Sequence, residues 1–207
     1  MNESIWPTIH AERTALAADL EGLTEEQWAR PTMCPDWNVH EVLAHHVSAA
    51  TMTPPKFFAR FAGSGFNFNK YAAKEVAKHA VGGPAATLAA FRAAQPRETA
   101  PPGPKETWLG EAFVHGEDIR RALGITHAYP LDQVTRTITF YAGSQPIIGA
   151  RDRVKGLTLK ATDVDFSVGT GPVVEGPAMS LLLAASGRKA ALDELSGPGV
   201  DVLRTRS

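Results

Sequence analysis

The chain has 207 residues, 43% of them hydrophobic and 21% charged, with a formal net charge of −1. That is a globular composition without the basic excess that nucleic acid requires, and its length predicts one compact domain with a smaller second one. The single cysteine, Cys34, excludes an intrachain disulfide and suits a reducing compartment.

The N-terminus, MNESIWPTIHAERTAL, has early acidic residues and no apolar stretch of a secretory leader. No run of about 18 apolar residues occurs, so no membrane-spanning helix is expected. A cytoplasmic protein without a nucleic-acid or membrane partner is the resulting expectation. Residues 4–21 carry Ile5, Ile9, Leu16 and Leu20 at helical spacing. Thr24 followed by Gln27 starts a short helix through Trp28 in capping-box fashion. RPTMCPDW then breaks the pattern, and Asn38 is a good N-cap for a helix from Val39 to about Thr51. Pro54 and Pro55 interrupt it, FFARF resumes after them, and GSG at 63–65 is a turn. Residues 68–80 and 84–94 read as helices, 96–105 as a proline-rich loop, and Glu106 to about Leu123 as a long helix stopped by Gly124. Four principal helical segments suggest a bundle.

The remaining residues differ. A helix is expected over 131–145. Short strands follow at 157–162, 163–169 and 172–176, where Val164, Phe166 and Val168 alternate with polar residues. A helix is expected at 177–186 and a last strand at 199–204. The fold class is therefore α+β, with a helical bundle over 1–128 and a small α+β module over 129–207.

Chemistry concentrates in two segments. WNVHEVLAHHV holds His40, His45 and His46 with Glu41. The zinc-protease pattern HExxH fails, because the residue four after His40 is Ala44. At about 100° per residue, His46 falls on the apolar stripe of Val39, Val42, Leu43 and Ala50, and His45 on its flank. His40 points elsewhere and is expected to be solvated. Left to the bland reading, His46 is a core histidine bonded to a backbone carbonyl and His45 a surface residue. The second segment, GEAFVHGEDIRR, places Glu111 and His115 at i and i+4, so both side chains converge. Asp118 could orient the imidazole or lie on the surface. One histidine of the first segment with Glu111 and His115 gives three protein ligands, which leaves one position open, as in catalytic zinc sites.

T-x-CPDW-N-V-H-E-V-L-A-H (32–45), the E-x-x-x-H segment at 111–115 and the later LTLKATD, GTGPVVEGPA and LLLAASGR stretches resemble the mycothiol-dependent maleylpyruvate isomerase family. That family consists of DinB-like metal-binding four-helix bundles with a C-terminal sterol-carrier-like module. The chain departs from the pattern at Asp36, where glycine is usual, and at His46, where an apolar residue is. The resemblance implies a divalent metal, zinc first, held by His45, Glu111 and His115, with mycothiol as cofactor. It implies an isomerase or S-transferase acting on a small electrophile, monomeric or homodimeric. Arg188 is the candidate catalytic residue of the C-terminal module, because its guanidinium fork suits carboxylates; otherwise it caps the 177–186 helix. Cys34 has no general base assigned to it and is read as structural. The competing reading is a non-catalytic metal-binding bundle joined to an apolar-ligand module, with Phe57, Phe58, Phe61, Phe66 and Phe68 lining a pocket or the core.

Overall fold

A computed structural model describes residues 4–144 and 149–206. They divide into two compact units, Met1–His127 and Ala128–Ser207.

The first unit is helical: α1 (Trp6–Asp19), α2 (Glu25–Trp28), α3 (Val39–Thr51), α4 (Pro54–Ala62), α5 (Phe68–His79), α6 (Gly83–Ala94) and α7 (Lys105–Leu123). α1, α3, α6 and α7 form the bundle: α3 packs on α5, α6 and α7, and α1 on α6 and α7. Its core gathers Leu16, Leu20, Val42, Leu43, Phe91 and Ile119. The helix signals act as the sequence suggests. Asn38 Oδ1 accepts from Glu41 N at 2.9 Å, and Glu41 Oε2 accepts from Asn38 N at 2.9 Å, a reciprocal capping box. Thr24 and Gln27 make the same pair at α2. Pro54 and Pro55 do not precede a resumed helix; they open α4 at its first positions, where a missing N–H has no cost. Gly124 takes the left-handed conformation, φ 72°, that ends α7.

α7 is tied to α1 by a buried ion network. Arg120, fully buried, donates Nε to Asp19 at 2.7 Å and Nη1 to Glu12 at 3.4 Å. His127 Nε2 lies 3.0 Å from the same Glu12 carboxylate.

Two expectations for this unit change. His40 is not solvated: it is half-buried, its Nε2 2.9 Å from Thr87 Oγ1 on α6, with its ring edge-on to Trp28. The phenylalanines do not form a core: Phe57 and Phe61 are half-buried, and Phe58, Phe66 and Phe68 are exposed.

The second unit contains α8 (Leu131–Ser144), α9 (Ala150–Val154), β1 (Thr158–Ala161), β2 (Ser167–Gly169), β3 (Val173–Gly176), α10 (Ala178–Ala185), a 3₁₀ segment Lys189–Glu194 and α11 (Val200–Thr205). Residue 145, the expected end of the first of these helices, lies outside the described residues. The sheet order is β2-β1-β3, with β1 antiparallel to β2 and parallel to β3. α10 is buried along its whole length against α8, α9, β1 and β3. Asp163 Oδ1 accepts from Ala178 N at 2.9 Å and so caps it.

The expected strand 163–169 is shorter, because 163–166 forms the turn into β2. The expected strand 199–204 is helix α11: Val200 and Leu203 are the buried pair, a spacing of three that fits a helix and not a strand. Among the described residues no helix is long and apolar enough to cross a membrane.

Asn38→Ala removes the cap of the central helix. It is expected to lower unfolding free energy by about 1 kcal/mol, read as a fall in the urea midpoint at unchanged m-value.

Candidate metal centre

The packing of α3 on α7 brings His45, Glu111 and His115 together. His45 Nε2 lies 2.7 Å from Glu111 Oε2, and His115 Nε2 lies 3.6 Å from the same oxygen. The two imidazoles meet edge to face, centroids 4.7 Å apart. One ligand atom from each residue lies within 4.8 Å of the others. Donors at about 2.1 Å from a tetrahedral zinc stand about 3.4 Å apart, so small side-chain shifts suffice to surround an ion. The proton that His45 Nε2 donates to Glu111 is the one a cation would displace.

Around the three, several residues fix orientation. His115 Nδ1 lies 2.9 Å from Oδ2 of Asp118, whose side chain is fully buried. An N–H donated there holds His115 in the tautomer whose Nε2 lone pair faces His45 and Glu111. Asp118 therefore orients the imidazole and is not a surface residue. Trp37 covers His45, ring centroids 4.9 Å apart at 32°, and reaches 6.2 Å from His115. The CPDW turn holds it there: Thr32 Oγ1 donates to Trp37 O at 2.8 Å and accepts from Cys34 N at 3.1 Å. Cys34 itself comes close to His115 and Asp118, forming with them a second group of potential donors that shares His115. Sequence reasoning missed Trp37, although its place at the end of the proline turn, one residue before the Asn38 cap, was a usable signal.

Burial pushes the Glu111 carboxyl up. The charge on His115, the hydrogen bond from His45 and the charge on His45 outweigh burial and bring it to about 2. Glu111 is thus an anion facing two imidazoles, a suitable donor set for a divalent cation.

His46 is buried in the core stripe, its ring 5.7 Å from Phe91 and 6.0 Å from His115. Its Nε2 is buried and makes no hydrogen bond among the described residues, so the expected bond to a backbone carbonyl is not formed. Burial, followed by the charges on His115 and His45, pushes this imidazole well below its ordinary value, and it is neutral.

Arg188 lies in the second unit, past the C-terminal end of α10, and donates Nη1 to Ser186 O at 3.2 Å. Arg153 lies beside it and donates Nη1 to Ala185 O at 3.2 Å. Burial and then the charge of Arg188 lower the Arg153 guanidinium from its ordinary value.

The fold defines an α+β protein: an N-terminal helical bundle, with the His–Glu–His group on two of its helices, followed by a small α+β unit. Residues 9–102 match the mycothiol maleylpyruvate isomerase N-terminal domain. The match includes His45 but ends before Glu111 and His115. A solved mycothiol-dependent maleylpyruvate isomerase has a similar fold, with TM-score 0.57, 12% identity, 93% of this chain and 91% of that chain covered. A histidine-to-alanine mutant of such an isomerase gives TM-score 0.59 at 13% identity with the same coverage. At that identity the likeness is one of fold. No curated protein matches the chain in sequence.

Replacing His45, Glu111 or His115 by alanine is expected to abolish stoichiometric zinc, measured by atomic emission after dialysis. His46→Leu is expected to retain it, and Asp118→Asn to weaken zinc affinity by about 10–100-fold. Zinc lost in His46→Leu and kept in His45→Ala would transfer the ligand role to His46.

Proposed function

We propose that this chain is a metal-dependent, mycothiol-using isomerase or S-transferase acting on small electrophiles, with His45, Glu111 and His115 holding the metal. The observation that carries the reading is the convergence of these three side chains from two helices, with Asp118 fixing the tautomer of the third. The matched family and the similar structures, mycothiol-dependent isomerases by name, suggest the thiol and the reaction class. Zinc is the first choice for two imidazoles and one carboxylate.

A divalent ion there supplies the acidity that turns a thiol into a thiolate near neutral pH. A thiol bound beside the site would supply the nucleophile that an isomerase or S-transferase needs towards a conjugated double bond. The protein's own groups set the conditions. Glu111 contributes one negative charge, so the site with a divalent cation keeps a net positive charge that favours the anionic form of the thiol. Asp118 keeps His115 from rotating or changing tautomer. Trp37 shields His45 from water on one side. Arg188 is the proposed anchor for a substrate or cofactor carboxylate. The repulsion between its guanidinium and that of Arg153 is the kind of charge an arriving anion relieves.

Zinc-loaded protein incubated with mycothiol and either maleylpyruvate or monochlorobimane is expected to consume substrate or thiol. Arg188→Ala is expected to raise KM for a carboxylate-bearing substrate by about 10–100-fold, the loss of a charged hydrogen bond, and to leave KM for monochlorobimane unchanged. Stoichiometric zinc without turnover over a broad panel of electrophiles would instead support a non-catalytic metal-binding bundle.

A further inference from the structure

α4 and the start of α5 are built unlike the rest of the first unit. α4 buries no residue completely. Phe58, Phe66 and Phe68 are 60%, 72% and 49% exposed. They are continuous with the half-buried rings of Phe57 and Phe61 and the buried ring of Tyr71: Phe57 contacts Phe58 and Phe61, Phe61 contacts Phe66, and Phe68 contacts Tyr71. Phe66 sits on the turn after α4 with a left-handed backbone, φ 57°, which is uncommon for a bulky side chain. Isolated exposed apolar residues mean little, but a contiguous aromatic patch marks a surface that binds something.

Charge indicates what it binds. Residues 54–80 hold five basic side chains, Lys56, Arg60, Lys70, Lys74 and Lys78, against one acid, Glu75, in a chain whose net charge is −1. Arg60 is paired with Glu75, which is buried. The four lysines are exposed and have no acid left in the segment. Lys70, Lys74 and Lys78 recur every four residues along one side of α5, while Tyr71, Glu75 and Val76 turn inward. Lys74 Nζ donates to Gly63 O at 3.1 Å, which holds the lysine row against the turn that carries Phe66.

We propose that this face docks on an anionic lipid surface, the phenylalanines entering the headgroup boundary and the lysines meeting lipid phosphates. Aromatic tips beside lysines are the side-chain set of interfacial binding. A fluid surface accepts protruding rings in any register, whereas a protein partner would need a matching groove for each. Each lysine near an anionic leaflet contributes about fivefold in partitioning. The proposal is independent of the metal and of the thiol chemistry, and it does not require the enzyme reading to hold.

The test is sedimentation of the full chain with phosphatidylcholine vesicles, with and without an equal part of phosphatidylglycerol, at low and high salt. Binding is expected only to the anionic vesicles and to weaken with salt. Phe58→Ser/Phe66→Ser is expected to weaken it by about tenfold or more. Lys70→Gln/Lys78→Gln, which keeps the Lys74 bond to Gly63 and leaves the aromatic patch untouched, is expected to weaken it by about tenfold or more and to flatten the salt dependence. Circular dichroism and zinc content of both variants are expected to match wild type. Equal sedimentation with neutral and anionic vesicles, or binding unaffected by either variant, overturns the proposal. So does a concentration-dependent dimer abolished by Phe58→Ser/Phe66→Ser, because a second copy would then be the occupant.

Discussion

The side-by-side packing of α3 and α7 is the constraint on which the candidate site depends. Two of the three proposed ligands lie on α7 and one on α3, so rotation of either helix would separate them. A slip of one residue turns a helix face by about 100°. Apolar burial sets the rotation of α3: Val42, Leu43 and Val47 face the core, and His45 is left on the flank towards α7. Ile119 in the core and Arg120 in its ion network with Glu12 and Asp19 set the rotation of α7. Arg120 is fully buried, and removing one partner of a buried charge network leaves an uncompensated charge that costs several kcal/mol. The network therefore holds α7 in one orientation, and Glu111, His115 and Asp118, at i, i+4 and i+7, present one face to α3.

The parts of this arrangement legible in the sequence are those decided locally. The caps at Thr24 and Asn38, the left-handed stop at Gly124 and the convergence of Glu111 with His115 follow from chemistry within a few residues. The fold class was legible because helical periodicity gives way to short strands in the last quarter of the chain. What escaped depends on partners distant in sequence. His40 reads as solvated because a separation of 47 positions from Thr87 hides their hydrogen bond. Asp118 stays ambiguous until its burial is seen. Trp37 belongs to a turn whose pattern suggests only a break, yet the Thr32 lock makes that turn the holder of a ring over His45.

The misread elements share another cause. At 199–204 the apolar residues Val200, Val202 and Leu203 satisfy both a period of two and a spacing of three, and only burial distinguishes them. At 163–166 the alternation of acidic and apolar residues is consumed by a turn whose first residue, Asp163, is used to cap α10. The phenylalanines of α4 and α5 invert the usual assignment of aromatics to the core. Whole-chain charge gave no warning there, because acids elsewhere offset the lysines of that segment.

His46 is the residue least expected in a bundle core. A buried ring nitrogen without a partner costs about 1–3 kcal/mol relative to a satisfied one, and an apolar residue at this position would avoid that cost. The cost is bearable because the ring is neutral. Burial disfavours its charged form, and so do the charges on His115 and His45. A protonated His46 would add a positive charge beside a site whose three donors suit a cation, weakening cation binding and the pairing of His45 with Glu111 alike. The Glu111 carboxylate pulls the other way and favours the charged ring, but burial is the largest influence and keeps His46 neutral, and the two imidazoles at 45 and 46 can occupy consecutive positions because the helix points one at Glu111 and the other at Phe91.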